Sequence, residues 1–478
     1  MVSKKAGAII AGVVIAIIVI CAAAILALPK KTTTATKPSA PSAPSANVTQ
    51  TTKPPAKKPA QKVTVITIGF LLPLSGSLSS DGILNKYVAE MAINDINNWL
   101  RTAGLPYRFR PVFEDTKTSR QGAISGFEAL KSMGVKIIIG PMSSLALSAI
   151  YTLAEENHII VISQSSTAMS LHKPKPYVFR FAPPDMWQSK ALATIIKDLG
   201  IKAVCIIYRG DTWGQGLEKY LTMNLEKYGI KYYAIEYPTT ASTYASYVSK
   251  LASCVSRFAS EYGYDHIAVE AITFDEIAYI LSTASQYADL MKVLWLGCDG
   301  FAGSPAVLHV CPVAVKVRLL STVVGLPEKR MLWLKERVQK EHPGVIGTWE
   351  YASIEYDAVW VAALAALKSY LDLGTLNTTY INKILPEVAL YYSEGKPIPT
   401  KKGNLVGPWV TGSLWGKGAL TGIIKLDADH DRMGANYNIY AVIPTPGGCT
   451  WKLVGMWNIQ TGKIVEYLPS VFAPPKAS

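Results

Sequence analysis

Residues 135–167 constrain the fold more than any other stretch. Two continuous β-branched runs, at 135–140 and 159–163, flank a helical segment at 145–157. Strands apolar on both faces are the ones a parallel sheet buries, and a helix between two of them makes a βαβ unit. The first strand exits into Pro141-Met142-Ser143-Ser144 and the second into Gln164-Ser165-Ser166-Thr167. In open α/β sheets ligands sit outside the carboxyl ends of the strands, where loop hydroxyls and helix N-terminal N–H groups converge. Ser143, Ser144, Ser165, Ser166 and Thr167 are therefore the first candidate binding cluster. The plainer account makes them helix caps and turn residues.

The same alternation extends both ways. Strands are expected at 63–72 and 109–114, with helices at 81–101 and 121–133. A short strand at 177–181 and the connector Pro183-Pro184-Asp185 lead into a helix ending near 199, after which the βα series restarts. Strands at 203–208, 231–237, 266–272 and 292–296 alternate with helices at 213–228, 243–261 and 275–288. Two such series imply two doubly wound, Rossmann-like α/β lobes. An extended run at 315–324, helices at 328–341, 353–370 and 380–393, and late strands at 422–426, 437–442 and 451–467 imply that the chain crosses between the lobes more than once.

The N-terminus differs from all of this. Residues 6–28 are uninterruptedly apolar, and at about 1.5 Å per residue they reach roughly 34 Å, enough to span a bilayer. A secretory signal has a shorter apolar region, which favours a retained anchor, while the Ala-rich end leaves a cleaved signal open. Cys21 follows Ile20, where a lipid-attachment motif needs a small residue. Residues 29–62 are Pro, Ser, Thr, Ala and Lys with Val48 as the one larger aliphatic, a composition that cannot bury enough surface to fold. They read as a disordered linker carrying one glycosylation sequon at Asn47; a second lies at Asn377.

The net charge of +14 invites a nucleic-acid reading until it is located. Residues 1–62 hold nine Lys and no acid, leaving 39 Lys and Arg against 34 Asp and Glu in the rest. No basic stripe interleaved with aromatics remains, so no nucleic-acid partner is expected, and the linker lysines suit a negatively charged membrane surface. The six cysteines form no CxxC pair, and neither a metal nor a cofactor is expected. Cys205 reads as plain core. Cys298 and Cys311 flank a Gly/Pro loop and are the disulfide candidates, which geometry decides. The Asp427/Asp429/Asp431 series imitates half of a calcium loop, but Arg432 and Asn438 stand where Gly and Glu are needed, so it reads as a solvated turn. The chain contains no GxSxG, HExxH or P-loop, and the Gly210–Gly216 stretch lacks dinucleotide spacing. An enzyme is not expected.

Several segments, taken in order, resemble one family. They are Gly69-Phe70-Leu71-Leu72-Pro73-Leu74-Ser75-Gly76, Ala89-Glu90-Met91-Ala92-Ile93-Asn94-Asp95-Ile96-Asn97, Glu114-Asp115-Thr116-Lys117-Thr118, Gly140-Pro141-Met142-Ser143-Ser144, Tyr177-Val178-Phe179-Arg180, the stretch from Tyr208 to Gly216, and Gly297-Cys298-Asp299-Gly300. The chain is similar to the type I periplasmic solute-binding proteins of ABC importers, in the branched-chain amino acid group. That resemblance implies two lobes joined by three hinge strands, a ligand clamped between them, and delivery to a membrane permease. It implies lobe segments at 63–182, 183–320, 321–425 and 426–478, after an anchor or signal at 1–28 and the linker. It matches Ser144, with Ser165 and Thr167 as partners, to the first-lobe residues that hold the ligand carboxylate and ammonium, Asp299 to the second-lobe acid that pairs with the ammonium, and Trp213 to the second-lobe aromatic. Phe274 and Asp81 are further candidates; Asp81 departs from the usual apolar residue and hints at a polar or cationic solute. The expected function is a membrane-tethered extracytoplasmic receptor for an amino acid or related solute, with a ligand-sensing ectodomain of the same fold as the alternative.

Overall fold

Two sheets with parallel centres form where the β-branched runs predict them. The computed structural model describes residues 62–174, 177–407 and 418–472, all within one unit, Gln61–Ser478. The apolar run at 6–28, Cys21 and the Asn47 sequon lie outside the described residues. Among the described residues no helix is long and apolar enough to cross a membrane.

The first sheet has five strands, β1 (Thr64–Leu72), β2 (Tyr107–Asp115), β3 (Ile137–Ile139), β4 (Ile160–Ser163) and β5 (Val178–Arg180), in the order β2-β1-β3-β4-β5. All its pairings are parallel. Its crossover helices are α1 (Ser79–Thr102), α2 (Arg120–Ser132) and α3 (Ser144–Glu156). After α4 (Asp185–Asp198) the chain builds the second sheet. Strands β6 (Ala203–Arg209), β7 (Lys231–Tyr237), β8 (Ile267–Ile272), β9 (Leu294–Gly297) and β10 (Leu320–Val324) are parallel there. The crossover helices α5 (Thr212–Lys227), α6 (Ala245–Tyr262) and α7 (Ile277–Ala284) pack on it.

The expected extended run at 315–324 is shorter than the pattern suggested. Two short helices, α8 (Pro305–His309) and α9 (Cys311–Lys316), precede β10, with Pro305 and Pro312 each standing in a first helical turn, where a missing N–H costs nothing. Strand β10 stays in the second sheet beyond residue 320. From there the chain returns to the first lobe as α10 (Glu328–Glu341), α11 (Trp349–Leu373) and α12 (Thr378–Glu394), followed by a small hairpin of β11 (Ile398–Thr400) and β12 (Gly403–Leu405). It then crosses again to add β13 (Tyr437–Thr445), β14 (Gly448–Asn458) and β15 (Lys463–Glu466) in an antiparallel series beginning on β10, and ends in α13 (Pro469–Phe472).

The expected strand at 422–426 does not form; only Leu426 bridges to Arg432. Asp427 competes for that backbone, its Oδ1 accepting from the N–H groups of Asp429 (2.9 Å) and Asp431 (3.0 Å). The turn is not wholly solvated either, because Asp431 is fully buried. The cysteine expectations also change. Cys205 pairs with Cys254 and Cys311 with Cys449, while Cys298 is a buried thiol. Cys298 faces into the sheet, where its thiol approaches Ala271 O, whereas Cys311 opens a helix packed on the β13–β14 hairpin.

Helix α11 is the axis of the first lobe. It is buried from Trp349 to Ser369, and its apolar residues join β1, α1 and α12 in one core. At about 1.5–3 kcal/mol per fully buried large apolar side chain, such a helix is held by its environment rather than by propensity. Asp357 sits inside this core and accepts four bonds, from Tyr392 Oη (2.7 Å), Leu420 N (2.9 Å), Thr421 N (2.9 Å) and Thr421 Oγ1 (2.7 Å). Removing it leaves buried donors unpaired, and Asp357→Ala is expected to cost about 3 kcal/mol or more of unfolding free energy. Urea titration checks this, and a loss below about 1 kcal/mol would show that the clamp is dispensable.

Candidate functional site

The cleft between the sheets is built from strand ends, as the opening βαβ unit predicts. Strand β3 leads into Gly140, whose φ of +95° favours glycine; a Cβ there would stand 2.2 Å from Leu71 O. The chain then turns through a cis Gly140-Pro141 bond into α3. Ser143 caps that helix, its Oγ accepting from Ala146 N at 3.2 Å. Ser143 and Ser144, at the start of that helix, line the cleft, and a helix N-terminus suits an anion.

The loop after β4 is tied to this helix end by hydroxyls. Ser144 Oγ accepts from Thr167 N (3.2 Å) and Ala168 N (3.1 Å) and lies 3.2 Å from Ser166 Oγ. With two backbone N–H groups filling its lone pairs, the Ser144 hydroxyl is left to donate. Ser165 Oγ donates to Met142 O at 3.0 Å.

The second lobe supplies an aromatic wall and a carboxyl group. Asp211 caps α5 by accepting from Trp213 N (3.1 Å) and Gly214 N (2.9 Å), which places Trp213 on the first turn. Its indole stacks on Phe274, just past β8, with centroids 4.8 Å apart and planes 17° off parallel. The Arg209 guanidinium lies 3.9 Å from the Phe274 ring centroid and is paired with Asp211 and Glu276. Asp299 follows β9. Its Oδ2 accepts from Tyr351 Oη on the first turn of α11, and the Gln188 side chain lies beside the carboxyl.

Electrostatics sharpen this picture. Burial pushes Asp299 up to about 6, against the opposing pull of the Tyr351 and Gln188 side chains. Asp185, at the start of α4, is raised by burial and then by the Asp299 charge, which Thr167 and Arg180 only partly offset. Asp81, in the first turn of α1, accepts from Thr348 N (2.7 Å) and Thr348 Oγ1 (3.1 Å). Burial still raises it to about 7, with Asp275 and Glu350 adding repulsion to what the Thr348 bonds remove.

Of the nine residues the sequence nominates, Asp81, Ser143, Ser144, Ser165, Trp213, Phe274 and Asp299 line one cavity. Ser166 and Thr167 stand behind it, bonded to Ser144. Sequence reasoning omits Leu78, Met142, Gly300 and Tyr351, which also line it. Met142 and Gly300 lie inside motifs already singled out, so proximity alone would have found them. Tyr351 comes from a helix that no local pattern links to the cleft. The cavity is small, about 30 Å3, well below the usual range for small-molecule clefts. No Lys or Arg is among its lining residues, and no cluster of metal-ligating side chains occurs among the described residues.

A two-lobed α/β receptor with its ligand cleft between strand ends is the class that this fold and site define. The chain belongs to the receptor family ligand binding region, whose family model matches residues 85–445. It is 33% identical over 432 residues to an uncharacterized protein, MJ1266, of Methanocaldococcus jannaschii, covering 88% of this chain and 96% of that one. A leucine binding protein, LivK, from Thermotoga maritima superposes with a TM-score of 0.62 at 18% identity, over 83% of this chain and 99% of its own. An ABC transporter substrate-binding protein from Desulfitobacterium hafniense in complex with Leu does so with a TM-score of 0.58 at 17% identity, over 81% of this chain and 100% of its own. The fold is that of the type I periplasmic binding proteins.

The raised Asp81 carboxyl has a consequence for stability. Its folded value of about 7 lies above the ordinary 3.8, so the folded state holds a proton that the unfolded chain releases, and this contribution is lost as pH rises through about 7. Asp81→Asn cannot titrate. Its stability relative to the parent protein is expected to increase between pH 5 and pH 8 in paired urea titrations, and parallel pH profiles would refute the assignment.

Proposed function

We propose that the protein is an extracytoplasmic receptor that binds an amino acid or closely related zwitterion between its lobes and delivers it to an ABC permease. The observation that carries this reading is the buried Asp299 carboxyl, approached by a hydroxyl and amides but by no cation, in a cleft lined by no Lys or Arg. A buried carboxyl without a cation is costly, and a ligand ammonium supplies the missing charge. On the opposite side the start of α3, with the Ser143 and Ser144 hydroxyls, offers donors to a carboxylate. Each contact is a charge-assisted hydrogen bond.

The mechanism is closure. A ligand touching both lobes favours the closed state only by the difference in its affinity for closed and open forms. The three chain crossings, after Arg180, after Val324 and before Tyr437, serve as hinges in this reading. The apolar run at 6–28 tethers the domain to the membrane through the linker, on the extracytoplasmic side. No catalytic step is assigned, since the cleft groups are arranged to hold charges rather than to activate a nucleophile.

A ligand at 100 times its dissociation constant adds about 2.7 kcal/mol of stability, so a rise in Tm across a panel of amino acids identifies binding. Asp299→Ala is expected to weaken the best ligand more than tenfold by isothermal titration calorimetry. Unchanged affinity would move the cation site elsewhere.

A further inference from the structure

We propose that the cleft accepts only small amino acids, glycine to serine in size, and that Trp213 is the residue that sets this limit and excludes branched-chain side chains. The inference rests on the amino-acid reading above and specifies its substrate.

Trp213 is an immobile wall. A Cβ on Gly300 would meet indole Cη2 at 2.5 Å and Thr273 O at 2.3 Å, so the far edge of the ring lies directly on the glycine backbone. The ring is also stacked on Phe274, which is packed in turn against Arg209. Arg209 is buried and held at 2.7 Å by Asp211, the residue that caps the helix carrying Trp213, and also by Glu276. Moving the indole outward therefore means displacing an aromatic ring and breaking a buried ion pair. The wall cannot yield by a rotamer change alone.

Nor can a longer side chain escape along the cleft. Beyond it lies a vestibule of about 1220 Å3, but a partition separates the two spaces. Leu78 and Phe274 face the inner cavity, while their chain neighbours Ser79 and Asp275 face the vestibule. Contacts between the lobes seal this line: Ser80 Oγ donates to Asp275 Oδ2 at 2.8 Å, and Asp275 N donates to Ser77 O at 3.4 Å. The ligand must fit within an inner space of only about 30 Å3. In a rigid pocket one methylene of excess is worth roughly 10–200-fold in discrimination.

Calorimetric titration of the parent protein, Trp213→Ala and Trp213→Tyr with glycine, alanine, serine, leucine and isoleucine tests this. The parent is expected to bind alanine or serine at least tenfold tighter than leucine. Trp213→Ala is expected to gain at least tenfold for leucine, and Trp213→Tyr, which keeps the stack on Phe274, to gain less. Leucine binding the parent as tightly as alanine would overturn the inference while leaving the receptor function standing. Leucine affinity unchanged in both Trp213→Ala and Trp213→Tyr, each shown folded by circular dichroism, would overturn it as well. Silence of all three proteins toward the whole panel would overturn the inference together with the function on which it rests.

Discussion

The buried pair of Arg180 and Asp431 joins the parts on which the rest of the structure depends. Arg180 ends β5 and Asp431 belongs to the return crossing, 251 residues further along the chain. The guanidinium is fully buried, donating through Nε to Asp431 Oδ1 at 2.6 Å and through its terminal nitrogens to Asp431 Oδ2 and Ala168 O. Ala168 closes the loop whose N–H groups orient Ser144. One cation thus sets the return crossing and the ligand-facing loop together. A pair of this kind contributes little net stability, because desolvation offsets its attraction, yet loss of one partner costs about 3–5 kcal/mol. Its role is to fix geometry.

The charge of Arg180 is committed to Asp431, and this leaves the cleft acids without a cation of their own. Asp185 gains only partial relief from Arg180, and Asp299 relies on hydroxyl and amide dipoles. Proteins normally pair or neutralise buried carboxyls. Here Asp299 lines the cavity and Asp185 feels its charge, while the start of a helix lines the same cavity. The resulting field runs across the cleft, with acceptors on one side and donors on the other. A zwitterion laid along it satisfies both ends, whereas an apolar solute of equal size satisfies neither.

Much of this was legible in the sequence. The β-branched runs at 135–140 and 159–163 identify the central strands, and the hydroxyls after them fall at the cleft because parallel strands end on one side of a sheet. The late antiparallel strands are less legible, because β13 to β15 owe their place to pairing outward from β10 rather than to local pattern. The run at 315–324 misled for the same reason: apolar β-branched residues also suit a short buried helix, and Pro312 decides the matter only through its position in the first turn. Tyr351 and the Cys311–Cys449 pair were hidden because they join segments distant in sequence. Asp81 was visible as a departure but not as a partner of Thr348, whose N–H opens α11.

Closure and selectivity fall on different parts of the molecule. The polar ties between the lobes include Ser80 to Asp275, Asp275 N to Ser77 O, Tyr351 to Asp299, Tyr440 to Glu350, and Thr348 Oγ1 to Ala302 O at 2.9 Å. Each such bond contributes about 0.5–1.5 kcal/mol net. A ligand that adds two charge-assisted contacts, one to each lobe, can therefore tip the balance. The wall formed by Trp213, Phe274 and Arg209 lies entirely within the second lobe and does not depend on closure. In the proposed reading, selection by size therefore resides on a surface of one lobe, and the contacts between the lobes respond to whatever that surface admits.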